Sequence, residues 1–129
     1  FYRYRTMIRT EDDATLPVVF PEVAALSPAA VLFRGLGDPN RLAILQHLAL
    51  GEHRVRDLVD HLGLAQSTVS AHCLCLAECG LVQSRPQGRS TVYSLARPEL
   101  LDLLKAAEQL LAATGDSVVL CPHNDGSAR

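Results

Sequence analysis

No apolar run in these 129 residues approaches the length needed to span a membrane. The pattern of a signal peptide is missing too. Glu11, Asp12 and Asp13 precede the first apolar stretch, and Pro17 and Pro21 interrupt it. A cytoplasmic chain with no membrane partner is therefore expected. There is no excess of positive charge: the net charge is −2 at pH 7, so charge alone does not advertise nucleic acid. No Gly-rich nucleophile loop and no paired carboxylates accompany the cysteines, which argues against an enzyme built on a Cys–His pair.

What is present is a hydrophobic share of 48 %, enough for one domain with a modest core, and four cysteines. Cys73, Cys75 and Cys79 crowd into Ser67–Val82, a stretch that reads as a helix. Cys75 and Cys79 are four apart and stack on one helical face. Cys73 points elsewhere and reads as a core thiol. Two cysteines on one helix are poorly placed to bridge each other. In a reducing compartment such thiols bind metal or do redox chemistry, and both readings stand at this point.

The order of elements gives these thiols a setting. Residues 1–27 form an N-terminal arm, in which Met7 is a candidate natural start and residues 1–6 an expression remnant. Residues 28–114 carry the helical domain, and 115–129 form a tail without helical period. Ser27-Pro28 and Asp38-Pro39 each open a helix, with a capping side chain before a proline. A short helix spans about Val55 to His61, and Gly63 turns the chain into the Cys-bearing helix, about Ala65 to Cys79. Two helices across a short Gly-containing turn are the signature of a helix-turn-helix. Leu81–Arg85 and Ser90–Leu95 read as strands around a turn at Pro86-Gln-Gly88, the position of a wing. The last helix, Pro98 to Thr114, is apolar around much of its circumference. Its surplus calls for a second copy of the chain, with the helix near Pro28 sharing the contact. The expected fold is mainly α with a small β-hairpin wing, a homodimeric winged helix-turn-helix.

In that layout the Cys-bearing helix is the one that enters the DNA major groove. Gln66, Ser67, Thr68, Ser70 and His72 are its exposed polar positions, and Arg85 and Arg89 flank the wing tip, where they meet phosphate or the minor groove. Between Arg54 and Arg97 the charge is locally positive by two: five arginines (54, 56, 85, 89, 97) against Asp57, Asp60 and Glu78. A winged-helix interaction module that never meets DNA is the bland counterpart of this reading.

Asp38-Pro-Asn-Arg-Leu-Ala-Ile-Leu45, Gln66-Ser-Thr-Val-Ser-Ala-His72, Glu78-Cys-Gly-Leu-Val82 and the Gly88-Arg-Ser-Thr-Val-Tyr93 hairpin resemble the ArsR/SmtB family of metal-responsive winged-helix repressors. The resemblance covers about Pro28 to Thr114. It implies a homodimer that binds operator double-stranded DNA without metal and releases it when metal binds. Two of the family's sensing sites are missing. Arg54-Val-Arg56 stands where the arsenic-type site needs Cys-Val-Cys, and Asp102-Leu-Leu104 where the zinc-type site needs Asp-x-His. What remains resembles the CmtR-type subgroup of cadmium and lead sensors, which implies Cys75, Cys79 and, from the tail, Cys121 as metal ligands, the last supplied by the partner chain. His123 is the candidate fourth ligand. The implied effector is Cd(II) or Pb(II), with Zn(II) and As(III) as alternatives for three thiolates. A repressor of the same fold that responds to thiol oxidation is the alternative mechanism. His47, His53 and His61 lie apart from any cysteine pattern and read as surface or structural.

Overall fold

The structure, a computed structural model, describes residues 20–121. The described residues divide into two compact units, one up to Phe33 and one from Arg34 onward. In the first unit, a short helix α1 (Pro21–Ala24) leads into α2 (Ser27–Leu36), whose last turn crosses into the second. The second unit continues with α3 (Pro39–Leu48), β1 (His53–Arg54), α4 (Val55–Leu62), α5 (Gln66–Glu78), β2 (Val82–Gln87), β3 (Ser90–Leu95) and α6 (Glu99–Ala113). Among the described residues no helix is long and apolar enough to cross a membrane.

Local chemistry sets these boundaries. The Asp38 carboxylate accepts from the amides of Asn40 (2.8 Å) and Arg41 (3.2 Å), capping α3 with Pro39 in its first turn. The Asp57 carboxylate accepts from the Arg54 amide at 3.1 Å and holds the start of α4. Gly63, at φ 69° and ψ 25°, adopts the left-handed conformation that ends α4 and turns the chain towards α5. Ala65 sits at the cap of α5 and offers no side-chain bond.

The core of the second unit is drawn from every layer: Ile44, Leu45 and Leu48 of α3, Leu58 of α4, Val69, Cys73 and Leu76 of α5, Val92 and Tyr93 of β3, and Leu100 and Leu104 of α6. The strands form one antiparallel sheet in the order β1-β3-β2. The hairpin differs from its expected form. Pro86 lies within β2, opposite Thr91, and the turn is Gly88-Arg89 with Gly88 at φ 62°. Proline is tolerated there because β2 is an edge strand, so its missing N–H costs no ladder bond. The two-residue strand β1 and the four-residue helix α1 had no counterpart in the sequence pattern.

Candidate metal centre and nucleic-acid interface

All four cysteines are thiols. The side chains of Cys75 on α5 and Cys79 at its C-cap, each half-buried, are hydrogen-bonded to one another. Cys79 lies against the end of α2: a Cβ on Gly35 would stand 2.8 Å from its Sγ. Burial pushes the Cys79 thiol up, and Cys75 and Glu78 add to this; the Arg41 guanidinium pulls the other way. The donor chemistry fits a soft ion: two adjacent sulfurs on neighbouring turns of one helix, reachable from solvent. Cys73 is fully buried, as a core position requires, and burial pushes its thiol up to about 11. It is unsuited to losing its proton to solvent to form the thiolate that a metal needs.

Cys121 is placed elsewhere. Its Sγ donates to the Leu101 carbonyl at 3.6 Å, and its backbone amide donates to the Glu108 carboxylate at 2.7 Å. The Leu120 amide donates to the same oxygen, and the Val119 carbonyl accepts from Gln46 Nε2 at 2.6 Å. The segment after α6 is thus fastened back onto α6 and α3, and Leu120 and Cys121 are buried. Burial pushes the Cys121 thiol up, with Glu108 adding and Lys105 opposing. Within one chain Cys121 does not join the Cys75–Cys79 pair. His123 lies outside the described residues.

The set expected to face DNA is split in the same way. Gln66, Ser67 and Thr68 are exposed on the first turn of α5. Ser70 and His72, expected to be exposed, are only half so. Ser70 faces a cleft lined by Val55, Val59, Gln66 and Arg89, between the helix-turn-helix and the wing. His72 is drawn inward by Arg41. Arg41 Nη1 lies 3.2 Å from His72 Nδ1, and because a guanidinium can only donate, Nδ1 accepts. The same guanidinium donates to the carbonyls of Gly35 (2.7 Å) and Arg34 (3.1 Å) at the end of α2. One arginine therefore ties the last turn of α2 to α5 beside the thiol pair. Of the wing arginines, both exposed, Arg85 is ion-paired with Glu52.

A further cluster escaped the sequence pattern. His47, His53 and His61 are brought together by α3, β1 and α4, with one nitrogen of each within 4.8 Å of the others. Burial, followed by the neighbouring His61 and His53, holds the His47 imidazole below its usual pKa.

The profile of the family described as "Bacterial regulatory protein, arsR family" matches residues 38–84, which run from the cap of α3 into the wing. A relative from Streptomyces lividans, named "Probable mercury resistance operon repressor", is 34 % identical over 88 % of this chain and 86 % of its own length. This chain belongs to the ArsR family. A second relative, the HTH-type transcriptional regulator CmtR of Mycobacterium tuberculosis, is 41 % identical over 67 % of this chain and 74 % of its own. Among solved structures, a homodimeric winged helix-turn-helix DNA-binding domain from Mycobacterium bovis superposes with a TM-score of 0.64 and 29 % identity, covering 78 % of this chain and 93 % of that one. The fold is the family's winged helix-turn-helix, and an ArsR-family chain is a transcriptional regulator, not an enzyme.

Proposed function

We propose that this ArsR-family regulator is a repressor that binds operator DNA as a homodimer and is released when a soft thiophilic metal ion binds Cys75, Cys79 and Cys121. The observation that carries the reading is the thiol pair at α5: the helix that would meet DNA also holds two adjacent thiols, the donors a soft ion takes. Metal at that pair acts on α5 directly, and through Cys79 on the end of α2. Cys121 is contributed by the partner chain. Its own-chain position on α6 supports this, because α6 also carries the exposed Leu110 and the half-buried Leu101, Leu103 and Leu111 that a second copy would cover. The homodimeric Mycobacterium bovis structure supports the assembly.

Cd(II) or Pb(II) is the effector that the thiol arrangement and the subgroup resemblance favour. Hg(II) is the second reading, favoured by the Streptomyces lividans relative and by the same soft donors. Gln66, Ser67 and Thr68 would reach base edges and phosphates in the major groove, with Ser70, His72, Arg85 and Arg89 on the flanking backbone. The test is a gel shift on the chain's own upstream DNA, titrated with Cd(II), Pb(II), Hg(II), Zn(II) and As(III). Release by a thiophilic ion at stoichiometric concentration supports the reading. DNA binding indifferent to all five ions overturns it.

A further inference from the structure

His47 lies in the last turn of α3, His53 begins β1, and His61 lies in the last turn of α4. Their separations of six, eight and fourteen residues make no local motif. Tertiary packing alone assembles them. The His47 and His61 rings stack with centroids 4.7 Å apart and 10° between planes. His53 stands edge-on to both, at 5.9 Å from His47 and 5.7 Å from His61. His53 Nδ1 is 2.8 Å from the Gly51 carbonyl. A carbonyl only accepts, so Nδ1 carries the proton and Nε2 keeps its lone pair. A ring nitrogen held by a backbone carbonyl while the other stays available is the usual outer support of a metal-binding histidine.

We propose that His47, His53 and His61 form a second metal site, separate from the thiols, for a borderline divalent ion of the Zn(II), Ni(II), Cu(II) or Co(II) class. Three imidazoles and no sulfur select such ions over Cd(II) or Pb(II). Their nitrogens lie within 4.8 Å of one another. A tetrahedral ion with bonds of about 2.0–2.1 Å needs its nitrogens about 3.3 Å apart, so closure by about 1.5 Å at most, with the stacked His47 and His61 rings turned until their in-plane lone pairs converge, completes the set. Side-chain rotation at the exposed His61 supplies such a movement. Three protein ligands leave the remaining position to water, and the exposed side of the cluster gives the ion its way in. An ion there would tie α3, β1 and α4 together. β1 is paired with β3 of the wing through His53 and Tyr93, so the site braces the frame that carries both DNA-contacting elements.

The test uses the full chain carrying Cys75→Ser, Cys79→Ser and Cys121→Ser, titrated with Co(II) and followed by visible absorption. The expected result is saturation at one ion per protomer, with ligand-field bands and no sulfur-to-metal charge transfer. Adding His47→Gln and His61→Gln should abolish saturable binding, while His72 and His123 remain in place as internal controls. Circular dichroism checks that each variant folds. In the wild-type chain, which avoids that question, Zn(II) should shift the imidazole nitrogen resonances of all three histidines. Absence of stoichiometric Co(II) binding, its survival in the His47/His61 variant, or unmoved imidazole resonances in the wild type would each overturn the proposal.

Discussion

Gly35 of α2 leaves room for Cys79 at the C-cap of α5: a methyl group on Gly35 would stand 2.8 Å from the sulfur, closer than real Cβ atoms come. Alanine would otherwise favour the helix by about 1 kcal/mol. Gly35→Ala should therefore fold, yet displace the Cys79 thiol from Cys75. A loss of about tenfold in Cd(II) or Pb(II) affinity, roughly 1.4 kcal/mol, is expected in a titration of the thiolate-to-metal ultraviolet band. Unchanged affinity would mean that the contact plays no part in the metal site.

Cys73 separates burial from ligation. Cys73→Ser places a hydroxyl in the core and should cost about 1–3 kcal/mol in urea unfolding while preserving the metal response. The sign of its pH linkage follows from a thiol raised from 9.0 to about 11 in the folded chain. The folded state holds the proton longer, so the contribution is complete below about pH 9 and is lost as pH rises towards 11. Wild type should lose stability across that window, and Cys73→Ala should lose less.

Metal binding should strengthen with pH. Cys79 and Cys121 are both pushed up by burial first, so at neutral pH each arrives protonated and would release its proton to solvent as the ion binds. Apparent log affinity should rise by about one for each thiol deprotonated per pH unit. Competition titrations between about pH 6 and 8 measure the slope, below the usual thiol pKa of about 8.5. A flat profile would point to ligands other than thiols.

The Glu108 carboxylate holds the tail by accepting from the Leu120 and Cys121 amides. Glu108→Ala should loosen that segment. The Cys75–Cys79 pair should still bind metal, but operator release should need more of it. If release is unchanged, the placement of Cys121 on α6 does not matter to the switch.

The helices were legible because their signals are local. Asp38-Pro39 and Gly63 act within a few residues, and the apolar periods of α3 and α6 lie in the string itself. The thiol pair was legible for the same reason, being one helical turn apart. What was not legible is what tertiary packing assembles. The histidine cluster joins residues on three elements, and Arg41 reaches from α3 to both α2 and α5. His72 looked exposed because a polar residue on a DNA-facing helix usually is, and the sequence carries no sign of the arginine that draws it in. The tail carries no sequence signal because its fastening uses backbone amides, which every residue but proline has. Pro86 marks a turn in the sequence pattern because proline usually does, whereas edge position makes it a strand residue.

In the proposed mechanism, metal at the α5 thiol pair controls DNA binding. The direct measurement is the fluorescence anisotropy of labelled operator DNA, with wild type and Cys75→Ser/Cys79→Ser compared under rising Cd(II), Pb(II) or Hg(II). Wild type should lose operator affinity by the factor that about 1–3 kcal/mol of coupling gives, and DNA should weaken metal binding by the same factor. The double variant should bind the operator as tightly as metal-free wild type and should hold it at every metal concentration. Release from the double variant at wild-type metal concentrations would mean that the α5 thiols are not the switch.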